Sequence, residues 1–285
     1  MVLLVKSTKD DKAIPYHDKV IKSYYKIIQS IIPELIQANP ILSGSAAITL
    51  VYAPKAPYGD LDLYFQSQED FDLALQIVKS KIVCEEDEIY DDSTSIPRDY
   101  DKIYTYYYTK NAVTINTNRF KLQLIRKEFL TPEKLIYSHD FANVSVAVTK
   151  DAIYTTKETL FSWYEKQIIL RNYMLSEDAN ITDRMSFYAT FLGRVNKYVL
   201  RYNLKMSDPL HYKIKQIHTD LCSPELDNNN LDIDHLILVT DHYYGGLTKE
   251  NFINKLKVEL LRITNRLISH HELIQEIISN EDNVF

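Results

Sequence analysis

The hydrophobic period of this chain changes once, near Lys157, and does not change back. Before that point, short runs alternate apolar and polar residues, the repeat of a half-buried strand, and helical stretches lie between them. After it, apolar residues return every three or four positions, the repeat of a helix packed on one side. The expected fold class is therefore α+β. A small mixed β-sheet domain with flanking helices is expected over residues 1–155, followed by a helical domain over residues 156–285. The helical half reads as helices at 157–175, 182–204, 209–221 and 248–280, with NNNLDID at 228–234 as its main loop.

In the first half, Val20, Ile21, Tyr24, Ile28, Ile31, Ile32 and Leu35 predict a helix over 16–38 that ends near Asn39-Pro40. The run ILSGSAAITL follows, broken by Ser43-Gly44-Ser45, and leads into a proline-bearing loop. Residues 60–65, DLDLYF, alternate acid and apolar in a strand pattern. Ser67 to Asp70 reads as a helix start with a capping box. The acidic stretch 84–101 reads as a solvated loop. Strands are expected at 104–109, 112–117 and 119–126, a helix start at Thr131-Pro132-Glu133, and a strand at 144–148.

Composition narrows the class. Hydrophobic residues make up 45% and charged residues 25%, which fits a globular chain rather than a disordered one. The formal net charge is −6, so any nucleic-acid contact is expected to be a local patch, for example Lys197, Arg201, Lys205, Lys213 and Lys215. Cys84 and Cys222 are the only cysteines, which argues against a disulfide framework or a cysteine-based zinc site and fits a reducing compartment. The apolar part of MVLLVKSTKDDK is too short for a secretory core, and no run is long enough to span a membrane, so a cytoplasmic location is expected, in the producing cell or an infected host cell. The many Ile, Asn, Lys and Tyr residues, all drawn from A/T-rich codons, point to an AT-rich viral or bacterial genome.

The residues that carry chemistry are Gly44-Ser45 and, after 14 intervening residues, Asp60-Leu61-Asp62. Side chains at i and i+2 of a strand point the same way, so Asp60 and Asp62 project side by side. Such a pair repels itself unless a divalent cation sits between the carboxylates. Hard oxygen ligands suit Mg²⁺ or Mn²⁺, usually together with substrate phosphates. Gly-Ser at a helix start offers N–H groups and a hydroxyl to phosphate oxygens. Each half of the pattern is common alone, in turns and strands; the combination is specific.

With Leu42, Gly44, Ser45, Asp60, Leu61, Asp62 and Leu63 in this order, the chain resembles the nucleotidyltransferase superfamily with the DNA-polymerase-β-like fold. KLQLI (121–125), HDF (139–141) ahead of VSVAV, and GRVNKYVLRYNLK (193–205) extend the likeness to nucleotidyltransferase-like proteins of phages, large DNA viruses and some bacteria. It covers roughly residues 40–205. The resemblance implies transfer of a nucleoside monophosphate from an NTP, with Mg²⁺ or Mn²⁺ as cofactor. It implies that Asp60 and Asp62 hold the metal and that Gly44 and Ser45 take the β and γ phosphates. The family's third carboxylate sits on a strand beside the Asp-x-Asp strand. The positional candidate for that strand offers Lys121 and Gln123 instead of an acid, and Asp140 is the next acid in the region. Glu128 and Asp151 are lesser candidates.

Arg194, Lys197 and Arg201 recur at spacings of three and four, along one helix face, where a solvated stripe or a triphosphate contact would both fit. Asp232-Ile233-Asp234 reads as a helix cap, His270-His271-Glu272 lacks the spacing of a zinc motif, and Trp163 reads as core. An RNA or tRNA end, a protein hydroxyl or a small molecule would fit as acceptor. A catalytically inactive module that binds a nucleotide or partner is the alternative, and the missing acid in KLQLI is its main support.

Overall fold

The computed structural model describes residues 2–6, 15–81, 104–108, 112–117, 121–126, 128–173, 175–176, 178–223, 232–234, 236–237 and 252–282. The acidic stretch 84–101 lies outside them. The chain divides into two compact units, Met1–Trp163 and Tyr164–Phe285.

The first unit is built on a mixed sheet of eight strands: β1 (Val2–Lys6), β2 (Ile41–Ser43), β3 (Asp60–Tyr64), β4 (Tyr104–Tyr108), β5 (Ala112–Thr117), β6 (Lys121–Ile125), β7 (Ala147–Val148) and β8 (Ala152–Thr156). Their spatial order is β1-β8-β7-β2-β3-β6-β5-β4. Every neighbouring pair is antiparallel except β3 and β6, which run parallel. In the central strands one face is apolar: Leu42, Leu61, Leu63, Val113, Ile115, Leu122 and Leu124 are all buried. The expected sheet with flanking helices is thus present, and it places the Asp-x-Asp strand third from β8 among the central strands.

Helices α1 (Pro15–Ile31), α2 (Gly44–Val51), α3 (Gln68–Lys81), α4 (Pro132–Ser138) and α5 (Lys157–Tyr164) accompany the sheet. The start of α3 follows its capping signal: the Asp70 backbone N–H donates to Ser67 Oγ at 3.1 Å, and Ser67 Oγ donates to Asp70 Oδ2 at 3.1 Å. Thr131 caps α4, its Oγ1 accepting from the Lys134 N–H at 3.4 Å. Trp163 belongs to the core, as expected: its ring stacks on Tyr52 with centroids 5.4 Å apart, and its Nε1 donates to the Asn143 carbonyl at 2.9 Å.

Three local readings differ from the structure, and the N-terminal strand was not anticipated. The helix expected over 16–38 ends at Ile31. Ile32 is extended because it precedes Pro33, whose ring crowds a helical conformation there, and a 3₁₀ turn covers Pro33–Ala38. The N-terminal apolar run forms β1, paired antiparallel with β8. The strand expected at 144–148 keeps only Ala147–Val148, because a 3₁₀ turn occupies Ala142–Val144, and β8 follows it. The helix expected over 157–175 stops at Tyr164, and the left-handed backbone of Lys166 (φ 53°) turns the chain away.

The second unit holds α6 (Ile181–Tyr202), α7 (Asp208–Leu221) and α8 (Phe252–Asp282), with a short parallel pair between β9 (Gln167–Ile168) and β10 (Lys205–Met206). Asn180 caps α6 by accepting from the Asp183 N–H at 2.9 Å, and left-handed Asn203 ends it. Leu210, Ile214, Ile217 and Leu221 bury one face of α7, and Leu256, Leu260, Ile263 and Leu267 bury one face of α8. Where α7 meets α8, His211 and His271 stack with ring centroids 4.1 Å apart. Burial, more than any neighbouring charge, holds both imidazoles below their ordinary pKa.

Candidate active site

The site starts where β2 becomes α2 without a loop. Ser43 is the last residue of β2 and sits directly across from Asp62 of β3. Gly44, the first residue of α2, turns the chain with φ 66°, a conformation that costs an L-residue energy and costs glycine none. It also lies flat against Asp62: a Cβ at this position would be 2.1 Å from Asp62 Oδ2. The next residue addresses the other acid, for Ser45 Oγ donates to Asp60 Oδ1 at 3.3 Å. The two motifs of the sequence therefore meet residue for residue.

β3 buries Leu61 and Leu63 and leaves Asp60 and Asp62 half-buried on the opposite face. Tyr64 continues that face and packs against Ile41, Leu135, Ile136 and Ala147, so α4 closes the end beyond the carboxylates. Burial, then the charges of Asp62 and Asp60, push the Tyr64 phenol well above its ordinary pKa.

The strand beside β3 is β6, as the sequence order implied, and its parallel register sets Lys121 next to Asp60 and Gln123 next to Asp62. Gln123 Nε2 donates to Thr114 Oγ1 of β5 at 3.2 Å. The place where the resemblance expects a third carboxylate thus holds an amide tied to a hydroxyl. Asp140 is half-buried and follows His139, the residue that caps α4. Among the described residues no three His, Cys, Asp or Glu side chains gather closely enough to hold a metal ion, so Asp140 does not complete a triad with the pair. Glu128 and Asp151 are both exposed. Asp60 and Asp62 still offer the oxygen donors that a hard cation shares with substrate phosphates.

Sequence reasoning missed a side chain here. Ser43 is fully buried, and its Oγ donates to the Val146 carbonyl at 2.8 Å. It also lies 3.1 Å from His139 Nε2. A hydroxyl has one proton to give, so His139 Nε2 is the donor in that contact, which assigns the proton to Nε2. His139 thus braces the end of β2 opposite Asp62. Only its position in HDF, ahead of a strand, pointed to it in the sequence.

Arg194, Lys197 and Arg201 all lie on α6, in the second unit. Arg194 Nε donates to the Thr190 carbonyl of its own helix at 3.3 Å. Arg201 Nη1 is enclosed and has no hydrogen-bond partner among the described residues. Of the lysines expected to form a basic patch, Lys215 is paired with Glu272 at 2.9 Å and Lys213 lies over the Tyr173 ring. Asp232 belongs to a helix start, where its N–H donates to Thr182 Oγ1 at 3.1 Å.

Among solved structures, the fold is similar to that of a CCA-adding enzyme complexed with ATP (10% identity, 97% of this chain, 73% of that chain, TM-score 0.46). It is also similar to the Thermotoga maritima CCA-adding enzyme complexed with tRNA (10% identity, 85% and 54%, TM-score 0.45). A third is a nucleotidyltransferase structure from H. pylori (15% identity, 89% and 97%, TM-score 0.29). The chain spans 61% of the length of a similar tRNA-processing enzyme. No curated protein matches it in sequence. The model of the Gabija anti-defense 2 family matches residues 12–166, a span that contains every strand of the large sheet except β1 and both halves of the Gly-Ser and Asp-x-Asp contact. With more than half of its length so matched, the chain belongs to the Gabija anti-defense 2 family.

Proposed function

We propose that the protein is a metal-dependent nucleotidyltransferase that moves a nucleoside monophosphate from an NTP to an RNA, tRNA or protein hydroxyl and releases pyrophosphate. The observation that carries this reading is the seating of Gly44 against Asp62 together with the Ser45 hydrogen bond to Asp60. In this reading residues 1–155 are the catalytic domain and 156–285 a helical domain that contributes to substrate binding. The family suggests that the reaction, carried out in the cytoplasm of the producing or infected cell, counters a Gabija defence.

Asp60 and Asp62 would hold Mg²⁺ or Mn²⁺ together with phosphate oxygens of the NTP. The ion, when bound, neutralises charge on the triphosphate and lowers the pKa of the attacking hydroxyl. The remaining work falls to the chain itself. The first N–H groups of α2, at Gly44 and Ser45, have no partner within the helix and suit the β and γ phosphates. Ser45 keeps Asp60 in one rotamer, and Ser43 with His139 fixes the strand end opposite Asp62. Lys197, with Arg194 or Arg201, would neutralise the triphosphate, as the resemblance implies. Phosphoryl chemistry needs little more than such positioning and charge neutralisation.

A second reading, a catalytically inactive module that binds a nucleotide or partner, is favoured by one observation: Gln123, not an acid, lies beside Asp62. One experiment separates the two. Each α-³²P-NTP is supplied with Mg²⁺ or Mn²⁺, total RNA and total protein, and both pyrophosphate release and label transfer are measured. Transfer that disappears in Asp60→Ala/Asp62→Ala supports the enzyme. Metal-dependent NTP binding without transfer supports the module.

A further inference from the structure

The second unit contains a pocket of about 600 Å³ between α6, α7 and the segment that leads into α6. Its chemistry is not what helix packing asks for. Arg184 and Tyr188 are one turn apart on α6. Lys213, Gln216 and Asp220 follow the helical repeat along α7, and Tyr173 forms the third wall. At such positions apolar side chains bury a helix face; here two cations, a carboxylate and two phenols line one concavity.

Most of these groups are held in place. Phe187 and Phe191 pack edge-on to the Tyr173 ring, with centroids 4.9 and 5.6 Å away. The Lys213 ammonium sits 4.1 Å from the centre of that ring and donates to Gln216 Oε1 at 3.0 Å, so it is fixed by two partners and retains further N–H donors. The Tyr188 hydroxyl donates to Asp220 Oδ2, leaving Oδ1 as an acceptor. Burial and the Asp220 charge push the Tyr173 phenol up to about 12, and burial with the Asp220 hydrogen bond pushes that of Tyr188 up as well, so both are neutral donors near pH 7. Arg184 is the exception: its guanidinium makes no hydrogen bond or ion pair with any described residue. A five-donor fork in a concave site, beside an immobilised ammonium, is an arrangement for a multi-oxygen anion. The volume far exceeds a bare phosphate, and Asp220 calls for a hydrogen-bond donor on the rest of the molecule.

We propose that this pocket binds an organic phosphomonoester of nucleotide size, with its phosphate between Arg184 and Lys213 and a donor group of its organic body on Asp220. This site is built from the second unit alone, and its occupancy does not depend on nucleotidyl transfer.

The test is calorimetric titration of the full chain in EDTA, which silences any metal-dependent site. The probes are AMP, CMP, GMP, UMP, ribose 5-phosphate and inorganic phosphate. One saturable site per chain is expected for at least one organic phosphate, at least about tenfold tighter than for inorganic phosphate. The nucleotides and ribose 5-phosphate separate a base-reading site from a sugar-phosphate site. Arg184→Gln and Lys213→Met should each weaken binding about tenfold or more, the loss of one charge-assisted contact. Asp60→Ala/Asp62→Ala should leave it unchanged. Thermal melts check folding, and either variant alone suffices if the other unfolds. No saturable binding of any probe at millimolar concentration overturns the proposal. So does binding indifferent to both substitutions, or binding lost with the Asp pair.

Discussion

β3 and β6 are neighbouring parallel strands of five residues with the same alternation of half-buried and buried positions. Each buries two leucines on the apolar face: Leu61 and Leu63 in one, Leu122 and Leu124 in the other. They differ on the opposite face, where Asp60 and Asp62 of β3 stand beside Lys121 and Gln123 of β6. Two strands that the core treats alike have been given unlike chemistry. The leucines make the sheet; the residues between them decide what the sheet can do, and only one strand of the pair carries acids.

The largest effect should come from breaking that difference at its acid side. Asp62→Ala should lower nucleotidyl transfer on the order of a thousandfold, as loss of a charge-stabilising group does, whereas Gln123→Ala should lower it no more than about tenfold. Rates of label transfer check this, and equal losses would mean that Gln123 takes part in the chemistry. Next come the shared positions. Leu63→Ala and Leu124→Ala should each cost about 2–5 kcal/mol in denaturant unfolding. Costs differing by more than about 2 kcal/mol would show that the core does not treat the strands alike. Gly44→Ala follows, at about 2 kcal/mol for a methyl forced into a left-handed turn. Transfer should fall further than stability, because the new methyl displaces Asp62. A crystal structure of that variant with Asp62 unmoved would refute this. The smallest effect is the most informative. Gln123→Glu sets a third carboxylate directly beside Asp62, a like-charge pair expected to cost about 0.5–1 kcal/mol in EDTA. Mn²⁺ should restore that stability. A cost that the ion leaves untouched would argue against metal binding on this face.

Much of this pair was legible in the sequence. DLDLY and KLQLI show their alternation openly, and the order of motifs put β6 beside β3. Three features were harder to read. β2 is three residues long and passes straight into α2, so no period could develop. β1 is a short continuous apolar run, which lacks the alternation that marks a half-buried strand. The break after α1 was written in Pro33, yet the apolar positions on either side keep helical spacing and mask it. Within the site, Gly44, Ser45, Asp60 and Asp62 were found because their types and order are specific. Ser43 and His139 were not found, because a buried serine bonded to a histidine 96 positions later leaves no local trace. Asp140 was chosen by order along the chain, and order does not report whether three oxygens converge.

The contact between Gly44 and Asp62 also has a bearing on how this gene can change. Codon 44 has no neutral alternative while the strand beside it keeps its aspartate: any side chain there occupies the space of the carboxylate. Drift would therefore be expected to remove the two together or neither. A copy of the gene that has lost its chemistry but kept its fold should announce it at codon 44 or 62, before any change reaches the leucines.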